Sequence, residues 1–197
     1  MIKNKNQITK KKILATARKY FFTIGYSKAT MDEIAIELHI SKKTIYQLFK
    51  SKQSLLESVI YDFFQEFHDK IDQIIKNNGN NRSNVLKQFM SSVQSQISQL
   101  NIRAFEEIGK NNPRAWHIIS HLREKMINNE LRDLLQKAKK EGMIRRNIDL
   151  DIIVLTILNT VQSIAIPEII SQFPYSTEEM IEMIAKIIMY GIMEPEI

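Results

Sequence analysis

Ser41-Lys42-Lys43-Thr44-Ile45-Tyr46-Gln47-Leu48-Phe49-Lys50-Ser51-Lys52 is the stretch that decides how this chain folds. Ser41 suits a helix cap, because its side-chain oxygen can accept from an orphan backbone N–H in the first turn. Ile45 and Phe49 stand four residues apart and share one face of the helix that follows. With those two turned inward, Lys42, Lys43, Thr44, Tyr46 and Gln47 occupy the first turn and the outward faces. Upstream, Thr30-Met31-Asp32-Glu33 is a capping box opening a short helix whose inward stripe is Ile34, Ala35 and Leu38. His39-Ile40 leaves only a brief turn between the two, so the pair is a helix-turn-helix.

In such a motif the second helix approaches base edges in the major groove through its N-terminal residues. Lys42 and Lys43 can reach guanine acceptors or phosphates, Thr44 can meet a thymine methyl, and Gln47 can pair with adenine. The Tyr46 hydroxyl suits a phosphate, as do the helix N-termini opened by Thr30 and Ser51. Lys52, at the start of the next helix, adds its charge to that helix's dipole.

The charge distribution agrees. Of the 197 residues, with a formal net charge of +6, the first 60 hold 12 Lys/Arg against 4 Asp/Glu, and the remainder 16 against 18. A basic head on a slightly acidic body points to nucleic acid. An anionic membrane fits less well, since no strongly apolar exposed face accompanies the lysines.

Helical spacing continues on both sides. Ile13, Leu14, Ala17, Phe21 and Ile24 predict a first helix over residues 8–24, stopped by Gly25. Leu55, Leu56, Val59, Ile60, Phe63, Phe64, Phe67 and Ile71 predict a fourth, ending at the Asn-rich loop 77–81. Further helices are expected over 83–99 and 102–110, and one from Pro113 to Gly142. Asp149 caps another, which Pro167 should kink or end, and Ser176-Thr177-Glu178-Glu179 opens the last with a second capping box. No alternating strand pattern occurs, so the fold class is all-α.

Taken together, Ile13-Leu14-Ala15-Thr16-Ala17, Phe21, Gly25-Tyr26, Thr30-Met31-Asp32-Glu33-Ile34-Ala35 and the segment 41–49, with Lys52 and Leu55, resemble the DNA-binding region of TetR-family transcriptional regulators. The resemblance covers the first third by motif and the rest by length and helical layout. It implies an N-terminal three-helix DNA-binding module, residues 1–50, followed by a helical effector-binding and dimerisation domain, residues 51–197, with 51–76 as connecting helix. It further implies that Thr30, Lys42, Thr44, Tyr46 and Lys52 contact double-stranded DNA, that a small effector binds the body, and that the last two long helices form a homodimer. Lys43 stands where the family commonly has Gly or Ala, and Leu48 where His or another polar residue is frequent. The DNA preference is therefore this chain's own.

Dimerisation also follows from the residues themselves. Leu150, Val154, Ile157, Leu158 and Val161, with the neighbouring Ile152, Ile153 and Leu155, leave almost no polar face, and the last helix repeats this with Ile184 and Ile188. Apolar residues all round imply burial on two sides. For the effector, Phe64, His68, Phe89, Met90, Phe105, Trp116, His117 and Ser120 are candidate pocket residues, an apolar set with few polar anchors that suits a lipophilic or aromatic compound.

Several chemistries drop out. The chain has no cysteine, hence no disulfide, thiolate zinc site or Cys nucleophile. His117 and His121 share a helix face without a third ligand, so no metal and no cofactor are expected. No Glu-x-x-His pair, Gly-rich phosphate loop or nucleophile elbow is present, which argues against an enzyme. The polar start and the broken apolar stretch 152–166 argue for a cytoplasmic protein without a membrane span. The expected function is a repressor released from a palindromic operator by an effector; a constitutive DNA-binding protein would share the same head.

Overall fold

The computed structural model describes residues 2–77, 88, 91, 92, 95, 102–164 and 172–193. Nearly all of them are helical, and among the described residues the only β-type pairing is an isolated bridge between Ile144 and Met193. The expected helix over 83–99 lies largely outside the described residues, as does Pro167.

The chain divides into two compact units. The first comprises Met1–Gln65 and Gln99–Ser120. Its helix α1, Ile2–Lys19, passes into a π-helical turn, Tyr20–Ile24, in which the consecutive Phe21 and Phe22 are both buried. It begins earlier than the apolar spacing suggested, because a polar segment offers no stripe to read.

Helices α2, Met31–Glu37, and α3, Lys42–Leu48, form the helix-turn-helix. The capping box is complete: Thr30 accepts from the Glu33 amide at 3.1 Å, and the Thr30 amide donates to Glu33 Oε2 at 2.8 Å. His39 closes α2 in the left-handed region, with φ 52°. Its amide donates to Ile36 at 3.0 Å and that of Ile40 to Ala35 at 3.0 Å, so the helix ends in a Schellman motif with histidine where glycine is usual. Ser41 caps α3 by accepting from the Thr44 amide at 3.1 Å.

Helix α4, Lys52–Asn77, opens on a reciprocal cap, Ser51 and Ser54 each accepting from the other's amide at 3.0 Å. Helix α5 is Ile102–Asn111, and α6, Pro113–Met126, starts behind Asn112, whose side chain accepts from the Ala115 amide at 3.0 Å. Ile13, Ile34, Ile45, Phe49, Leu55, Leu56, Val59, Ile108 and Ile119 are among the buried residues of this unit. Phe22 meets Phe63 edge-on, their rings 5.4 Å apart.

The second unit comprises Glu66–Ser98 and His121–Ile197. There α6 runs through a π turn, Ile127–Leu131, into α7, Arg132–Lys140, which stops at Gly142 with φ 77°. Helices α8, Leu150–Ile164, and α9, Thr177–Ile192, follow, the latter opened by the expected Ser176–Glu179 capping box. Phe67, Ile71, Leu131, Leu135, Ile144, Ile153, Val154 and Ile192 build the core. Arg145 fastens the end of α9, its amide donating to Ile192 at 2.9 Å and its Nε to Met193 at 3.0 Å. No helix among the described residues is long and apolar enough to cross a membrane.

Candidate nucleic-acid interface

The face of α3 opposite Ile45 and Phe49 is the candidate reading surface. Lys42, Lys43, Tyr46 and Gln47 are exposed there, and Thr44 is half-buried with its hydroxyl 2.8 Å from that of Ser41. Lys42 donates to Asp32 at 2.7 Å, a bond that raises its pKa above the usual lysine range. Asp32 lies in the first turn of α2, so the pair ties the two helices together while holding Lys42 outward. Lys43, Tyr46 and Gln47 project from the same element.

Thr30 and Lys52 stand differently. The Thr30 hydroxyl is committed to its own cap, accepting from the Glu33 amide and donating to Glu33 Oε2 at 2.8 Å. Lys52 is half-buried, its Nζ 4.4 Å from the centre of the Tyr26 ring and donating to the Ser27 carbonyl at 3.4 Å. Burial pushes its pKa down, against the pull of Glu107 and Glu33.

A clasp the sequence reading missed holds this region from behind. Glu107, on α5, accepts from the Ser27 amide at 2.8 Å. Gly25 has φ 110°, and a Cβ there would lie 2.3 Å from Glu107 Oε2, so the turn admits only glycine. Ser27 is thus gripped at its N–H by Glu107 and at its C=O by Lys52. Beside it, Tyr26 donates to Gln53 at 3.3 Å, and the buried Asn112 donates to the same oxygen at 2.6 Å. Glu57 pairs with Arg114 at 2.7 Å and accepts from Gln53 at 2.9 Å. These partners lie up to 80 residues apart, a separation that no local spacing rule reveals.

The other candidate residues are distributed as follows. Phe64 and Trp116 are half-buried, whereas His117 and Ser120 are exposed. A Cβ at Gly109 would meet the Trp116 ring at 3.2 Å, so the indole packs closely on α5. His68 is half-buried, with Nδ1 2.7 Å from Glu130. Phe89 and Met90 lie outside the described residues, as do the side chains of Phe105 and Val161. Val154 is buried in its own unit; Leu150, Ile157, Leu158, Ile184 and Ile188 are half-buried. Among the described side chains of α8 and α9, the most exposed apolar ones are Ile152 at 57%, Leu155 at 55%, Ile187 at 70% and Tyr190 at 80%.

Comparison with known proteins bears on the same region. Residues 13–59 match the family model of bacterial regulatory proteins of the tetR family. YvaF, an HTH-type transcriptional regulator of Bacillus subtilis (strain 168), is 28% identical over 189 residues, 94% of this chain and 96% of its own. IcaR of Staphylococcus aureus (strain Newman), the negative transcriptional regulator of the biofilm operon icaADBC, is 28% identical over 132 residues, 67% of this chain and 66% of its own. The fold is shared with FadR of Bacillus subtilis, solved in complex with stearoyl-CoA, at a TM-score of 0.65 and 19% identity, covering 92% of this chain and 98% of that one. With the helix-turn-helix in place and a relative aligned along nearly the whole length, the chain is similar to transcriptional regulators of the TetR family, whose model its residues 13–59 match.

Proposed function

We propose that this regulator is a homodimeric repressor that binds a palindromic operator and is released by a small lipophilic effector. The observation that carries the reading is the outward face of α3, where Lys42, Lys43, Tyr46 and Gln47 stand exposed over a buried Ile45 and Phe49. Such a face matches the donor and acceptor pattern of a major groove. In this reading Thr30 and Lys52 flank it as phosphate contacts, Thr44 meets a thymine methyl, and Lys43 and Gln47 read bases.

A two-fold dimer is supported by α8 and α9, which pack on each other and leave Ile152, Leu155, Ile187 and Tyr190 exposed. Apolar side chains with this exposure on neighbouring helices suit burial against a second copy. The half-buried Leu150, Ile157, Leu158, Ile184 and Ile188 would form the floor of that interface. Residues 1–50 then act as reading head, and residues 51–197 as the effector-binding and dimerising body.

Repression as the sign of control is supported by IcaR, a negative regulator. The aromatic side chains Phe64 and Trp116 support a lipophilic effector, and the FadR fold holds stearoyl-CoA. An effector acts by binding one of two dimer states more tightly, the state whose heads no longer match the half-site spacing.

The test is selection of genomic fragments by the full-length chain, followed by footprinting. Protected half-sites with two-fold symmetry, their centres about 34–36 Å apart or a multiple of that, are expected. Fragments without symmetry, or no retained fragment, would overturn the reading. Long-chain acyl-CoA and free fatty acids, added to the bound complex, test release.

A further inference from the structure

Glu130 places a carboxylate on a core-facing stripe. It lies three residues after the buried Ile127 and four before the buried Leu134, spacings that set it on the side by which this stretch meets its core. Its side chain is 18% exposed. Oε1 is 2.7 Å from Nδ1 of His68 on α4, whereas Oε2 is buried and meets no hydrogen-bond donor among the described residues. A carboxylate taken out of water is costly unless donors meet both its oxygens. An apolar residue at the same position would spare that cost, so packing of the core does not explain the choice of glutamate.

The surroundings are apolar. Phe67 and Ile71 stand one residue before and three after His68, and Ile127 and Leu131 bracket Glu130; all four are buried in one core, with Met126 packed against it. Glu130 belongs to the π turn Ile127–Leu131, and such wider turns inside helices are frequent at functional positions. Arg123, seven residues earlier, does not relieve the carboxylate: its guanidinium is engaged by other groups and gives no bond to Oε2. His68 is the more exposed partner of the pair, so a turn of its imidazole opens the way to the carboxylate.

We propose that Glu130 and His68 form the head-group site for a lipophilic amine, whose protonated nitrogen donates to Glu130 Oε2 while its apolar part lies among the surrounding side chains. The proposal rests on the reading of residues 51–197 as an effector-binding body and deepens it by naming the head group. An ammonium fits better than a hydroxyl, because a hydrogen bond between two charged partners is roughly twice as strong as a neutral one. It also meets the charge of a carboxylate held largely out of water. The nitrogen must carry a hydrogen, so a quaternary ammonium fits poorly, and an anionic head would face a like charge.

The test titrates the full-length chain near neutral pH, by calorimetry, with octylamine, octanol, octyltrimethylammonium and octanoate. Octylamine should bind at least about ten-fold more tightly than the other three. Glu130→Gln should weaken octylamine by about ten- to a hundred-fold and leave octanol within about two-fold. Its melting temperature without ligand should be no lower, since glutamine still accepts from the imidazole and a largely buried charge is gone. A crystal of the wild-type chain with octylamine should place the nitrogen about 2.7–2.9 Å from Oε2, a measurement that holds even where the variant fails to fold. Equal affinity for amine and alcohol, an octylamine affinity that Glu130→Gln does not change, equally tight binding of octyltrimethylammonium, or a nitrogen seated away from Oε2 would overturn the proposal. Release of a bound duplex by octanoate and not by octylamine would overturn it too, with the effector reading intact. Octylamine bound at Oε2 without release of the duplex would uphold the site and overturn the effector reading instead.

Discussion

A phosphate that approaches Lys42 must compete with Asp32, which already holds that ammonium at 2.7 Å. Both partners are largely exposed, and such pairs are worth about 0.2–1 kcal/mol. Asp32→Asn should therefore strengthen binding to any duplex by about two- to five-fold, measured as an affinity ratio at fixed salt. Lys52 presents the opposite case. Its burial against Tyr26 depresses its pKa, so the folded chain holds that proton less tightly than the unfolded chain does. Stability then rises as pH climbs through the lowered value toward the unfolded lysine range near about 10.4. Lys52→Met should abolish this alkaline rise in thermal stability, leave the melting temperature at neutral pH no lower, and reduce the salt slope of DNA binding by about 1. The residue types at these positions were legible in the sequence, because each sits at a fixed offset from a cap. Their partners were not: Asp32 and Glu107 look like ordinary solvated carboxylates until the fold brings Lys42 and Ser27 to them.

Among the elements, the turn of the helix-turn-helix contains the one positive-φ residue other than glycine among the described residues. An L-residue in the left-handed region costs roughly 1–2 kcal/mol, part of which glycine would give back in unfolded-chain entropy. His39→Gly should raise the unfolding free energy by about 0.5–1 kcal/mol in urea titrations, without altering DNA preference. Helix starts were readable where a side chain makes the cap, as at Thr30, Ser41 and Ser176, because the cap bond is local. The two π turns were not readable. Tyr20–Ile24 and Ile127–Leu131 carry no residue that marks a wider turn; in the first, consecutive Phe21 and Phe22 are both buried, one against Tyr26 and the other against Phe63. The start of α1 was hidden for a related reason: a solvated basic helix has no apolar period to detect.

At the scale of the whole molecule, apolar composition all round α8 and α9 resolved into two faces. Ile153 and Val154 serve their own core, while Leu155 and Ile187 remain exposed. Composition alone could say that both helices had two apolar sides, but not which residues lay on each. Ile187→Glu should leave the monomer folded, since substitution at a position 70% exposed costs about 0.5 kcal/mol or less. Sedimentation should then show a monomer, with affinity for a two-fold operator lower by about a hundred-fold or more through loss of the linked second half-site.

The grip of Glu107 on Ser27 bears on how far such a head can be transplanted. The simplest transplant would cut out the first fifty residues as a cassette and fuse them to a new sensor. Here the turn before α2 is completed by Glu107, supplied by sequence far downstream, while Asn112 holds Gln53, the residue that accepts from Tyr26. A chimaera joined at residue 50 would inherit a Gly25 turn shaped around a carboxylate that its new host lacks. Transfer of α5 and the start of α6 along with the head should restore it, and parallel melting curves of the two chimaeras would show the difference. The inheritable module of this chain is discontinuous in sequence.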